Sequence, residues 1–444
     1  MNVAKMIILS SLVATASLSA ATLNQNVLSK IDIGADYRFS VDSLGYKMAS
    51  GNEYKNNALL TNRLWLMLGY TEDKHLSFHS KIVYNKVFGQ PVVSNVAFDG
   101  FDWFGSTTNT DNQVRIKEAY IDYKDDKLFG VNIGWDFGVG RRPTTYNKLL
   151  SFRDDEAASS PLGHIVSAEF DGGHLGFNLE KQIGIKGFRV KLAAGRGLSS
   201  IDSSISPTPV ASSGENINMF AINVVTYANK NLHTELQVLR ATNLVDITNA
   251  GFDNTGTFNA ANYDPTLKTV GDISLASYMA MYNISSLKDT KVFASLALSQ
   301  TDPSSGETML GSADKKVGTS IWIGTQFPSL ISSKGKWGVE YNHGSKYFRP
   351  FTYSEDTTVG SKLATRGDAY EIYFTEPLYK GLSCQLRTTY IDYKYSGSNG
   401  FFGSQTGTPM ALSTLSSAMY ASSDLADSVA DSAYDFRAYL RYRF

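Results

Sequence analysis

The sequence predicts an all-β fold: a transmembrane, antiparallel, up-and-down β-barrel of about 16 strands, with 18 the alternative count. Three observations predict it. The chain ends on Y-D-F-R-A-Y-L-R-Y-R-F at 434–444. Successive strand side chains point to opposite faces, so Tyr434, Phe436, Ala438, Leu440, Tyr442 and Phe444 share one face, and Asp435, Arg437, Tyr439, Arg441 and Arg443 share the other. Segments of the same period recur along the chain. The connections between them alternate long and short, as expected of a barrel with long loops at one end and tight turns at the other.

The terminal strand carries the membrane argument. It is long enough for one tilted crossing of a bilayer. An arginine on a lipid face near the midplane costs roughly 2–4 kcal/mol, so Arg437, Arg441 and Arg443 must turn inward and the aromatic row outward. A soluble sandwich would place that row in a core, and soluble β-proteins rarely end flush on such a strand. Averages do not separate the two folds. Hydrophobic content is 42%, mean hydropathy is −0.19, and no later stretch has the roughly 18 apolar residues of a spanning helix. Alternation separates them.

The N-terminus reads M-N-V-A-K, then an apolar run to about Val13, then small residues to Ala21. This is the pattern of a secretory signal peptide, with Ser19 and Ala21 before a cleavage site. It predicts a leader at 1–21 and a single barrel domain at 22–444. The apolar core is too short for an N-terminal membrane helix.

The first barrel strand sets Ile31, Ile33, Ala35, Tyr37, Phe39 and Val41 against Asp32, Gly34, Asp36, Arg38 and Ser40. Another sets Phe129, Val131, Ile133, Trp135 and Phe137 against Gly130, Asn132, Gly134, Asp136 and Gly138. The rest are expected at 58–71, 75–88, 113–124, 174–183, 187–196, 217–228, 232–242, 271–284, 290–301, 316–327, 335–348, 367–379, 382–395 and 434–444. Alternation breaks within 113–124, 217–228 and 382–395, where β-bulges are expected. The long connections are 42–57, 89–112, 139–173, 197–216, 243–270, 302–315, 349–366 and 396–433. Segment 164–171 also reads as a strand, but counting it would give an odd total, whereas bacterial barrels have even ones. It is therefore assigned to the third loop as a hairpin or ledge.

Net charge is −1, which gives no electrostatic case for nucleic acid. The single cysteine, Cys384, excludes an intrachain disulfide framework and falls on the outward face beside Leu382 and Leu386. His79 and His233 fall inward, and His164 and His174 lie in or beside the third loop, in no usual metal-ligand spacing. Asp154-Asp155-Glu156 lacks the alternating ligands and turn glycine of a calcium loop. No phosphate-loop, zinc-protease or serine-hydrolase motif occurs. No enzyme activity, metal or cofactor is expected.

The chain resembles the outer-membrane porins of Gram-negative bacteria, and more closely a group of porins from Campylobacter-type bacteria. The residues that carry the resemblance are the leader, R-I-K-E-A-Y-I-D-Y at 115–123, G-R-R-P-T-T at 140–145 and R-A-Y-L-R-Y-R-F at 437–444. The resemblance implies passive diffusion of small hydrophilic solutes, an outer-membrane location, contact with lipid and lipopolysaccharide, assembly by the barrel machinery through the last strand, and a homotrimer. It also implies that the third loop, 139–173, folds inward and narrows the pore. That loop carries Arg141, Arg142, Lys148 and Arg153, then Asp154, Asp155 and Glu156. Alternation places Arg38, Arg63, Lys81 and Arg437 on the inner wall, on strands that adjoin once the barrel closes. A transverse field between this wall and the acidic run is expected. A substrate-selective channel for sugars, organic acids or hydrophobic compounds is the alternative. Inward aromatics for a sugar track, such as Trp65, Trp322 and Tyr439, are few, and no plug segment is legible at 22–30.

Overall fold

The computed structural model describes residues 25–87, 114–142, 148–154, 162–168, 170–198, 216–288, 290–352, 355–357, 359–398, 400, 402–404 and 407–444. The expected leader at 1–21 lies outside them, as do Asp155 and Glu156.

The strands are β1 (Ile31–Met48), β2 (Glu53–Thr71), β3 (Leu76–Val87), β4 (Val114–Asp125), β5 (Gly134–Arg142), β6 (Val166–Ser167), β7 (Phe170–Asn178), β8 (Arg189–Leu198) and β9 (Ile217–Ala228), followed by β10 (Leu232–Phe252), β11 (Phe258–Ile284), β12 (Thr290–Pro303), β13 (Val317–Pro328), β14 (Lys336–Gly344), β15 (Phe351–Thr352), β16 (Gly367–Tyr379), β17 (Leu382–Tyr393) and β18 (Ala430–Arg443). All but β6 and β15 form one closed antiparallel barrel of 16 strands, each paired with its chain neighbour in the wall and β18 with β1. The terminal residue completes the seam: Ala35 and Phe444 exchange backbone N–H···O bonds, both 3.1 Å.

The outer face is apolar between two aromatic bands. In β18, Tyr434 and Tyr442 lie eight residues apart on that face, about 27 Å of strand at 3.4 Å per residue. Tyr341, Tyr370, Tyr390 and Tyr434 are successive cross-strand neighbours on β14, β16, β17 and β18, forming a row toward the loop end. At the turn end, tilted ring pairs meet at Tyr123–Trp135 (5.4 Å), Trp337–Phe374 (4.8 Å) and Tyr442–Phe444 (6.0 Å). Such girdles bound the lipid-facing band of membrane barrels. Beyond the tyrosine row the same face turns charged: Arg240 meets Asp272 and Asp302, and Asp368 meets His343 and Tyr341.

Several boundaries differ from the sequence reading. Residues 129–133 are not strand. Leu128 and Val131 bridge across a two-residue tip in which Phe129 and Gly130 both have positive φ (49° and 84°), and Phe129 is 98% exposed. Positive φ at both central residues is the type I′ hairpin signature; the F-G step sits inside an alternating run and hid the turn. Residues 180–183 form a helical turn, closed by Gly184 in the left-handed region, so β7 ends at Asn178 and begins at Phe170. The expected loops 42–57 and 243–270 are largely strand. β1–β2 and β10–β11 continue as paired ribbons to tips at 49–52 and 253–257, with irregularities beginning at Asp42/Leu44 and Ala241/Leu244. Those irregularities break the period that sequence reading relied on. Bulges fall where expected in two of three places: Lys117 is the extra residue in β4 and Thr226 in β9. β17 itself is regular, and the irregularity lies on its neighbour β16, between Pro377 and Tyr379. Segment 164–168 belongs to the third loop, yet it makes no hairpin. Its β6 pairs in parallel with β15 of the seventh loop, while Phe170 and Asp171 are already wall.

Candidate pore constriction

The wall at β1, β2, β17 and β18 contains an electrostatic conflict that other residues must resolve. Register sets Arg38 directly opposite Arg63, and Arg387 directly opposite Arg437. Like charges in directly opposed strand positions repel, and all four arginines are buried. Part of the answer is on the wall itself. Asp42 pairs with Arg437, and Asp36 receives Arg441 Nε at 2.9 Å and stands 3.6 Å from Arg63.

The rest comes from the seventh loop, residues 345–366. Asp356 takes a two-pronged bond from Arg38, one arm at 2.7 Å, and lies 3.6 Å from Arg63 and 3.4 Å from Arg437. Its backbone carbonyl accepts from Arg387 (2.6 Å) and Arg437 (2.8 Å). Burial alone would raise the Asp356 carboxyl. Arg38, then Arg437 and Arg63, outweigh burial and hold it well below the usual carboxylate range.

The third loop crosses the lumen. At one end Lys148 binds Glu235 of β10 at 2.6 Å. At the other, the short helix Leu150–Asp154 presents Arg153 to Glu371 of β16 (3.2 Å), and Asp154 stands 3.9 Å from Arg387. Gln326 and Gln385 donate to the carbonyls of Phe152 (2.9 Å) and Arg153 (2.7 Å), which hold the helix end against β13 and β17. The two loops also bind each other. Phe351 N–H donates to Ile165 O (2.9 Å) and Thr352 Oγ1 donates to Gly163 O (3.0 Å), while Lys362 ties the seventh loop to the wall through Glu340 of β14 (2.6 Å) and Glu371 of β16.

Two apolar clusters lie beneath. Leu149, Leu150, Leu162 and Leu363 from the loops pack on Met279, Phe293 and Trp322 of the wall. Ile165, Val166, Phe348, Phe351 and Phe402 pack on inward residues of β9 to β12. His164 sits between them, fully buried, with Nδ1 2.9 Å from Ser295 Oγ and Nε2 2.9 Å from Ser320 Oγ. Ser320 donates its own proton to Asn342 Oδ1 or His343 O, so it accepts from Nε2–H and Ser295 donates to Nδ1. Burial pushes this imidazole down to about 3, and it is neutral.

The predicted residues that the structure describes therefore do not gather in one place. Arg38, Arg63 and Arg437 converge around Asp356, while Arg153 and Asp154 meet the neighbouring wall. Lys81 stands one strand further on, paired with Glu118 at 2.6 Å; it shares the face of Trp65 with Arg63, whose guanidinium lies 3.6 Å above the ring. Arg142 of β5 points inward to Asp122 (2.6 Å) on β4, next along the wall from Lys81. Arg141 corrects the reading. β5 continues through Arg142, so period two turns Arg141 to the outer face, where it meets Asp171 at 3.3 Å. Trp65, Trp322 and Tyr439 do point inward, but all three are buried and make no exposed aromatic track. Asp356, Lys362 and Glu371 were missed. Glu371 was legible as an inward strand position, whereas the two loop residues carry no periodic signal.

The wall of β3, β4, β5, β7 and β8 differs in kind. A cavity of about 780 Å³ runs along it, lined by residues from Lys74 and Asp125 at the turns to Arg142 and Lys191. Among the described residues, no three His, Cys, Asp or Glu side chains are placed to hold a metal ion.

The fold is shared with solved barrels. The chain is similar to an anion-selective porin from Comamonas acidovorans, with TM-score 0.51 and 11% identity over 93% of this chain and 100% of that one. It is also similar to OprB of Pseudomonas putida, with TM-score 0.50 and 13% identity over 95% and 96%. OmpT of Vibrio cholerae in a trimer form matches at TM-score 0.47 and 13% identity over 93% and 99%. At these identities the first two likenesses establish the fold, that of outer-membrane barrels, and nothing finer. No curated protein matches the sequence. A family model does match, over residues 53–444, and by that match the chain belongs to the family described as protein of unknown function (DUF3373).

Proposed function

We propose that this protein is an outer-membrane porin through which small hydrophilic solutes and ions diffuse passively, and that it is not an enzyme. The observation that supports this reading most is the pairing of an apolar, aromatic-bounded outer face with a charged cavity of about 780 Å³ inside the same wall. A barrel of about 16 strands leaves an aqueous interior rather than a filled core. The Arg38–Arg63–Arg437–Asp356 cluster and the Arg153–Glu371–Lys362 cluster hold the third and seventh loops in that interior, and so set the shape of the constriction. The leader at 1–21, export, assembly through the last strand, lipopolysaccharide contact and a homotrimer complete the reading. The resemblance to Campylobacter-type porins supports these, and its three barrel segments all lie within the family match.

The apolar clusters favour a second reading. They fill one flank of the interior, which suits a substrate-selective channel more than a wide general pore. Planar-bilayer recording of the purified, folded protein tests the first reading; absence of any channel activity would overturn it. Liposome swelling with sugars of graded size separates the two. A smooth size cut-off means general diffusion, and saturation by one solute means a selective site.

A further inference from the structure

The interior has two unlike flanks. Along β9 to β14, large inward side chains such as Met279, Phe293 and Trp322 are covered by loops. Along β5 and β7 the inward positions include Gly138 and Gly176, and the charged side chains lie flat across them. A Cβ at Gly138 would collide with Asp122 Oδ1 and sit 2.5 Å from an Arg142 nitrogen. A Cβ at Gly176 would sit 2.6 Å from Asp136 Oδ1 and 2.7 Å from an Arg189 nitrogen. Contacts under 3.0 Å force a shift, so a larger residue at either position would push these side-chain ends off the wall, whereas glycine lets the Arg142–Asp122 (2.6 Å) and Arg189–Asp136 (2.5 Å) pairs press against it. His174 joins the second pair at 2.8 Å from Asp136. Side chains that lie flat on a wall leave the space in front of them clear, and the cavity occupies that space.

We infer that solutes cross along this glycine-lined flank, and that Arg142, Arg189 and Lys191 read their charge, rather than Arg38, Arg63 and Arg437. The arginines of the β1–β18 cluster are buried under Asp356 and the loops, so a passing ion meets them only through other atoms. Arg142, Arg189 and Lys191 border the cavity itself, with Asp122 and Asp136 as the acidic groups beside them. Three basic groups against two acidic ones, with Lys74 and Lys124 balancing Asp125 and Asp126 at the turn end of the lining, leave this path attractive to small anions. The inference rests on the channel reading.

The test uses the full-length protein with its one cysteine removed (Cys384→Ser) and a new one at Lys191→Cys or, independently, His79→Cys, which lines the same cavity. Folding is checked by circular dichroism. Thiol reagents carrying a sulfonate or an ammonium group are then applied during bilayer recording. The inference expects both sites to be modified with a fall in conductance, and the thiol at position 79, where Arg142, Arg189 and Lys191 all remain, to react faster with the sulfonate reagent. The sulfonate at position 191 should also move the reversal potential in a salt gradient toward cation preference. Ser299→Cys, buried on β12, should stay unmodified. A conducting channel in which the thiols introduced at positions 191 and 79 are inert, or in which their modification alters neither conductance nor reversal potential, overturns the inference while leaving the channel reading intact. At position 79, faster reaction with the ammonium reagent overturns the anion preference. A folded barrel with no conductance overturns the channel reading itself.

Discussion

His164 shows how far one side chain can be taken from its solution behaviour. It is held neutral between two serine hydroxyls and against the edges of Trp322 and Phe348. Its folded pKa, about 3, is below the ordinary 6.5. Between those values the unfolded chain binds a proton that the folded chain refuses, so stability falls as pH drops below 6.5. The slope for one proton is about 1.4 kcal/mol per pH unit. Comparing thermal unfolding of wild type and His164→Gln in detergent at pH 7 and pH 5 isolates this group. The wild type should lose more stability on acidification, and equal losses would refute the assignment. At this scale the sequence was informative where residues sit on regular strands: Arg38, Arg63 and Arg437 face inward as alternation requires. It misplaced Arg141 because the strand runs further than its pattern showed.

At the scale of elements, the seventh loop is the part that sequence could not foresee. Its Asp356 is the anion shared by three arginines. Breaking a buried ion pair by removing one partner costs about 3–5 kcal/mol, so Asp356→Asn should destabilise the barrel by that order and loosen 345–366. Limited proteolysis at pH 7 checks this, with early cleavage in the loop expected; protection equal to wild type would count against it. The pH sign follows from the depressed carboxyl. Its stabilisation is complete above the ordinary value of 3.8 and is lost only below it. Mild acid, pH 7 to 5, should therefore leave the wild-type loop docked. No such account was available from the third loop alone, whose acidic run was expected to supply the counter-charge. Asp154 lies instead beside Arg387 and Arg153.

Over the whole molecule, the two long ribbons are joined across the mouth. Six wall strands separate β1 from β11 on one side and β2 from β10 on the other, so the two hairpins stand opposite each other. The five-residue helix Asp424–Ser428 touches both tips. Asp424 accepts the Phe258 amide (2.7 Å), and Leu425 N–H donates to Gly256 O (2.9 Å). On the far side, Asp427 accepts from Ser50, Asn52 and Tyr54, all at 2.7 Å. The eighth loop thus forms an arch over the barrel. Asp427→Ala should free one foot of that arch, seen as faster hydrogen exchange at the Ala49 and Ser50 amides, which donate to Val429 and Ala426. Unchanged exchange there would mean that the carboxylate is incidental to the arch.

The amino-acid sequence by itself determined the barrel, a strand count of about 16, the inward and outward faces of the regular strands, and the last strand as the one that closes the wall. All of these follow from a period of two and from the cost of charge in lipid, which act locally on every strand. Only the tertiary structure decided what fills the interior. Which loop delivers Asp356, which charged side chains lie across Gly138 and Gly176, and where the ribbons meet all depend on contacts between residues far apart in the chain. No periodicity encodes these contacts, because they exist only once the wall has closed.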